Sequence, residues 1–193
     1  MKCQTAAMIA AKPIAEFPDG RAPAKVFSVF SPWLGVRGGD HPTLAELTSS
    51  ETIHDLERAM VNSDLPTAKT HVIHRFSPGI YIREFHAPAG TLLTSAKHRT
   101  THPFVVADGV ALVMSGTEGS VRYEAPHCGI TPAGTHRVLM VLEDLVWVTF
   151  HATELTDVDE IAAEILMPEE NPLVPSDHPR MNLWQYRNEG GKP

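Results

Sequence analysis

GTLLTSAKHRTTHPFVVADG, residues 90–109, opens and closes on glycine and reads as β-structure with two imidazoles set inside it. Along a strand, residues i, i+2 and i+4 point to one face. His98, Thr100 and His102 are therefore expected to share a side with Phe104 and Val106. Two histidines on one face, in a segment otherwise built for a core, make half of a metal site. Neutral imidazole suits Fe, Ni, Zn or Cu, whereas carboxylate-rich sites suit Mg, Mn or Ca. A centre that keeps positions open for water or substrate takes three protein ligands. The third is to be sought among His86, His127, His136 and His151.

Outward from that segment the pattern stays β. HVIHRF, GIYIREFHA, GTLLTS, TTHPFVVA, GVALVMS, SVRYEA, HRVLMVL and LVWVTFHA lie between about residues 70 and 152, with Gly, Pro, Asp or Ser in nearly every gap. Short strands punctuated in this way predict an antiparallel sandwich or barrel. Before it, residues 1–66 form an arm rich in Pro and Gly, with irregular structure expected around Phe27, Phe30 and Trp33. One helix interrupts the arm: Thr48-Ser49-Ser50-Glu51 offers caps, and Ile53, Leu56, Ala59 and Met60 follow at helical spacing. After the strands, Thr156 or Asp157 can cap a helix through VDEIAAEILM, which Pro168 stops. The organisation expected is an arm (1–66), a β-barrel (67–155), and a helix with a Pro-rich tail (156–193) in which Trp184 and Tyr186 are candidate anchors.

Composition removes several function classes. A chain of 193 residues with 20% charged residues and a formal net charge of −7 carries no clustered Lys/Arg footprint for nucleic acid. Its two cysteines, Cys3 and Cys128, form neither a CxxC motif nor a disulfide framework and read as free thiols in a reducing compartment. The N-terminal run is too short and too interrupted for a signal peptide, and no apolar stretch approaches the ~20 residues of a membrane span. A cytoplasmic or virion protein is expected, with no nucleic-acid or membrane partner. Neither a P-loop, a dinucleotide fingerprint nor a nucleophile elbow is present, and Trp33, Trp147 and Trp184 read as packing residues.

The glycines, histidines and proline together resemble the cupin superfamily. Gly90 and Gly109 bracket the first cupin motif, with His98 on its second histidine, His102 on its glutamate and Ala96 in place of its first histidine. Pro132-Ala133-Gly134 matches the second motif, with Arg137 where its last histidine stands and His136 one residue early. GIYIRE, PAGTHR, LEDLVWVTFH and LTDVDEI add a similarity to small cupin-like proteins of tailed bacteriophages, over about residues 70–165. The resemblance implies an all-β, cupin-type double-stranded β-helix (jelly roll), flanked by the two helices. It also implies a divalent transition metal (Fe, Ni, Zn or Mn) as cofactor, and it favours His151, in the WVTFH segment, as the third ligand beside His98 and His102.

Register decides where His151 points. If Glu143-Asp144 is a two-residue hairpin turn, His136 faces His151, which then projects opposite to Arg137; a three-residue turn with a bulge puts His151 beside Arg137. Arg137 itself is never a metal ligand, but a guanidinium binds carboxylate or phosphate bidentately. Arg137 and Arg83, if both point inward, make an anion-binding pocket; otherwise they pair with Glu84, Glu124 or Asp144 at the rim. Two functions follow. One is a metal-binding cupin that holds a small anionic molecule, its catalytic residues undefined. The other is a structural or interaction protein of a phage particle, contacting virion or host proteins, with the barrel as a non-catalytic scaffold. Exposed strand edges favour a homo-oligomer in either case.

Overall fold

Apolar runs in this sequence come in two kinds: unbroken ones such as ALVM and VLMV, and alternating ones such as VWVTFHA. A computed structural model, which describes residues 8–10, 50–62, 67–115 and 119–167, shows what separates them. The strands are β1 (Met8–Ala10), β2 (His71–Ser77), β3 (Ile80–Ala87), β4 (Thr91–Thr94), β5 (His102–Ser115), β6 (Gly119–Glu124), β7 (His127–Thr131) and β8 (Arg137–Ala152). Helices α1 (Ser50–Asn62) and α2 (Val158–Ile165) accompany them. Every strand pairing is antiparallel.

Strands β5 and β8 pair along most of their length and belong to two facing sheets. The first halves of β8 and the second half of β5 lie between β4 and β6, with β1 beyond β4. The second half of β8 and the first half of β5 lie between β3 and β7, with β2 beyond β3. This is an all-β jelly roll. Leu93, Ala111, Val113 and Leu139 from one sheet meet Phe85, Phe104, Leu145 and Trp147 from the other in a single core.

Helix α1 explains the unbroken runs. Its Ile53, Leu56 and Met60 cover the outer face of the first sheet, against Leu92, Leu112, Met114, Val138 and Met140. Strand β4 and the start of β8 are consequently buried on both faces, and burial becomes alternating only after the exposed Glu143-Asp144. A buried Glu57 on α1 reinforces the contact: Thr94 Oγ1 donates to it at 2.9 Å, and His136 Nε2 lies 3.5 Å away. Helix α2 starts at the Asp157 cap, whose carboxylate accepts from the Asp159 and Glu160 amides, and buries Ile161, Ala162 and Ile165 against Tyr81.

Four sequence expectations are corrected here. TTHPFVVA and GVALVMS are one strand, β5, and HRVLMVL and LVWVTFHA are one strand, β8. Glu143-Asp144 is therefore no turn, and neither hairpin register applies. The segment His127–Thr131, with alternating burial, is a strand that the turn residues around it concealed. Residues 8–10 of the Pro/Gly-rich arm pair with β4 as an edge strand. Phe27, Phe30, Trp33, Trp184 and Tyr186 lie outside the described residues.

Gly109 is where β5 leaves one sheet for the other. Its φ is +79°, and the β5–β8 register slips on both sides of Asp108 and again after Val110. The slip reverses side-chain parity, so that Phe104 and Val106 point inward before it and Ala111 and Val113 after it.

Candidate metal centre and its cavity

Strand β8 keeps its parity throughout, so Arg137, Leu139, Val141, Leu145, Trp147, Thr149 and His151 all face the interior. His151 and Arg137 thus point into the same barrel because no turn intervenes between them. His102 heads β5, buried, opposite Thr131 of β7. His98 arrives differently. It is not on β5; it sits in the preceding loop, in an isolated bridge to Leu166, which corrects the expectation that His98 and His102 share a strand face.

Two neighbours clasp that loop. Arg99 N donates to Ile165 O at 2.8 Å and Met167 N to Lys97 O at 2.9 Å, so the end of α2 holds the chain on both sides of His98. Gly134 N, in the turn before β8, donates to the His98 carbonyl at 2.8 Å. Fixed backbone at three points limits where the His98 ring can go.

The three rings meet. Centroids are 4.3 Å apart for His98–His102, 4.5 Å for His102–His151 and 5.1 Å for His98–His151. One ligand nitrogen from each lies within 4.8 Å of the others. Binding at about 2.0–2.1 Å places ligand nitrogens about 3 Å apart, so the trio needs to draw in by no more than about 2 Å. The rings are also in the right protonation state. Burial, with the neighbouring His102 and His151 rings and then Arg83 and Arg137, lowers His98 to about 2. Burial followed by His102 and Arg83 lowers His151 to about 3, and burial lowers His102 as well. All three are neutral imidazoles at physiological pH, the form that ligates metal.

Hydrogen bonding orients two of them. His102 Nδ1 lies 3.2 Å from the Thr100 carbonyl, which can only accept, so Nδ1 carries the proton and Nε2 presents its lone pair. His151 Nε2 lies 3.1 Å from Thr149 Oγ1, while its buried Nδ1 has no hydrogen-bond partner among the described residues. A buried nitrogen with nothing to bind is costly, at about 1–3 kcal/mol, and a metal ion would satisfy it. Behind His151, Tyr81 stacks at 5.9 Å and its hydroxyl lies 2.6 Å from His74 Nδ1. Burial and then the Arg83 charge lower His74 to about 4.

Beside the trio lies a cavity of about 110 Å³, lined among others by His98, His102, Arg83 and Arg137. Among the described residues no Asp or Glu lines it. Arg137 is 4% exposed, donates from Nη1 to Thr131 Oγ1 at 3.1 Å and lies 5.7 Å from the Phe104 ring centre. Arg83 lies 5.3 Å from that of Phe85. Rim carboxylates pair elsewhere. Glu84 pairs with Arg75 and His86, Glu124 with Arg122, and Asp144 accepts from the Ala89 amide.

Of the expected site residues, His98, His102 and His151 come together, and Arg83 and Arg137 share a cavity with the first two. His86 does not join them; its ring stacks on His71 at 4.1 Å on β2–β3. His127 packs near Tyr123 at 4.7 Å, and His136 sits beside Glu57. The hydroxyls of Ser95, Thr131 and Thr149, which also line the cavity, were not singled out in the sequence. Thr149 was findable, two residues before His151 on the same face.

No protein-family model and no curated protein matches this sequence. Solved structures do. An acetylacetone dioxygenase from Acinetobacter johnsonii is 17% identical over 43% of this chain and 59% of that one, with a TM-score of 0.37. A cupin-like protein from Thermotoga maritima is 10% identical over 46% and 71%, with a TM-score of 0.40. A cupin-2 domain containing protein from Shewanella frigidimarina is 13% identical over 43% and 82%, with a TM-score of 0.36. The chain thus spans less than two thirds of the length of the dioxygenase. Among the described residues no helix is long and apolar enough to cross a membrane.

Proposed function

We propose that this protein is a cupin-like metal-binding protein whose barrel holds one divalent transition metal on His98, His102 and His151 and a small anionic molecule on Arg137 and Arg83. The observation that carries this is the convergence of three neutral imidazoles from three separate segments beside a cavity lined by two guanidiniums. An all-imidazole donor set suits Fe, Ni, Zn or Cu better than Mg or Ca, and Mn remains within its range. Such a metal, when bound, supplies a Lewis acid at the cavity wall. The chain's own part is to keep the imidazoles neutral, fix their orientation through Thr100 and Thr149, and attract an anion. The bacteriophage assignment draws on the sequence resemblance alone.

Chelator-treated protein reconstituted separately with Fe(II), Ni, Zn and Mn is expected to retain one metal per chain for at least one of them, by elemental analysis after gel filtration. His98→Ala and His151→Ala should each abolish retention. Absence of stoichiometric metal with all four ions sinks the proposal.

A second reading, an interaction protein of a phage particle that assembles with itself or with virion or host proteins, draws on exposed Phe76, Ile80 and Ile130 on or next to the outer strands β2 and β7. A monomeric sedimentation profile that Phe76→Ser and Ile130→Ser leave unchanged argues against its self-assembly part.

A further inference from the structure

Helix α2 stands behind all three imidazoles. Its last turn clasps the loop of His98 through the Arg99–Ile165 and Met167–Lys97 backbone bonds. The next residue of that loop, Thr100, supplies the carbonyl that orients His102. The buried face of α2, Ile161, Ala162, Ile165 and Leu166, packs on Tyr81, whose ring stacks on His151. Thr153, two residues beyond His151, donates from Oγ1 to Glu164 of α2 at 2.5 Å. One short helix thus joins the end of β8 to the loop that carries the third ligand.

The three ligands are not equally fixed. His102 pairs with Thr131 of β7, and His151 with Tyr81 of β3. They stand two residues beyond the Phe104–Thr149 pair of β5 and β8, so the sheet ladders hold both. His98 lies outside the sheet strands. Drawing the trio together by up to about 2 Å therefore falls mainly on the His98 loop and the helix end tied to it. That helix has eight residues, short of the roughly 12–15 an isolated helix needs in water, so packing and the clasp hold it in place. Such an element opens locally before the sheet does.

We infer that α2 is a positioning element of the metal centre, and that its docking and metal retention form one coupled equilibrium: lifting α2 frees His98 and releases the metal, and an occupied centre keeps α2 down. This rests on the His98, His102 and His151 reading and adds the element that controls it. Coupling of this kind is reciprocal, so it shows from both sides.

The test uses the full chain with whichever of Fe(II), Ni, Zn and Mn it retains. Amide exchange is followed by mass spectrometry with and without that metal at a hundredfold excess over Kd. Exchange in α2 and in residues 95–101 should slow at least about tenfold, and about a hundredfold if the open form holds no metal. The edge strand β6, paired with β5, should keep its rate. From the other side, Ile161→Ala should speed release to EDTA at least about tenfold, with Ile161→Val in between. Ile53→Ala empties an equally buried position under α1, and should leave release within about twofold of wild type. Retained metal with unchanged α2 exchange overturns this inference and leaves the metal reading standing. Equal acceleration by Ile161→Ala and Ile53→Ala overturns it too, since only general loosening would then be at work. Retention of none of the four metals removes the metal reading and this inference with it. The wild-type exchange decides even if Ile161→Ala fails to fold.

Discussion

Replacing Gly109 by alanine tests the bend that brings both halves of the barrel around one interior. Two costs are legible in the structure. The residue sits at φ +79°, where a side chain costs about 1–2 kcal/mol. In addition, a Cβ built there meets the Asp144 carbonyl oxygen at 2.0 Å and its carbon at 2.7 Å, which are backbone atoms of β8 and cannot swing aside. Relieving such an overlap by shifting backbone costs about another 1–3 kcal/mol. The sum is about 2–5 kcal/mol. Gly79→Ala is the matched control. Its φ is +76°, but the nearest neighbour is the Glu154 side chain at 3.5 Å, an ordinary contact, so only the dihedral cost of about 1–2 kcal/mol applies. Urea unfolding of both variants, metal-free and at one pH, reads the difference directly. Gly109→Ala should lose clearly more than Gly79→Ala, with the denaturant slope unchanged. If the two variants fall within about 0.5 kcal/mol of each other, β5 is not held against β8 at Gly109 and the account of the bend is wrong.

Three other outcomes are expected. Ile53→Ala, which empties a fully buried position between α1 and the first sheet, should cost about 2–5 kcal/mol in urea unfolding, and a cost below about 1 kcal/mol would mean that α1 does not pack there. Stability of the metal-free protein should fall as pH drops below about 6.5. His74, His98 and His151 are held near 4, 2 and 3 when folded, so the unfolded chain binds more protons throughout that window, by up to about 1.4 kcal/mol per group per pH unit. Unfolding midpoints that do not change between pH 7 and 5 would contradict this. Saturation with the retained metal should raise the melting temperature of the wild type, by an amount equivalent to about 2.7 kcal/mol at a hundredfold excess over Kd, and leave His151→Ala unmoved; an equal rise in both would place the metal elsewhere.

Much of the fold is legible in local patterns. Helix α1 follows from Ile53, Leu56, Ala59 and Met60 at helical spacing, and α2 from the Asp157 cap and the acidic first turn. The strand character of residues 71–152 follows from short apolar runs between turn residues. Misread were the joins. Asp108-Gly109 and Glu143-Asp144 look like turns because Asp and Gly are turn formers, yet β5 and β8 pass straight through them. At these points the strands exchange one sheet for the other, and a bend of that kind needs the same residues as a reversal. Two-sided burial under α1 was written in ALVM and VLMV, but periodicity alone cannot say what covers an unbroken apolar run.

For the site, residue type and rough position came from the sequence, and convergence came from the fold. His98, His102 and Arg137 were selected by their chemistry and their place in two glycine-marked segments, His151 by the resemblance of its WVTFH segment, and Arg83 by its charge. That selection needed only local information, since imidazole and guanidinium have the same properties wherever they stand. Whether they meet depends on long-range geometry. His98 reaches its partners because the end of α2, some 65 residues later in the chain, clasps its loop through Ile165 and Met167. His151 faces inward because β8 runs unbroken from Arg137, which keeps the two on one side of a strand whose period is two. Strand register and loop closure join residues far apart in sequence. A single chain therefore states which groups are available for a site, and only tertiary pairing states which of them share it.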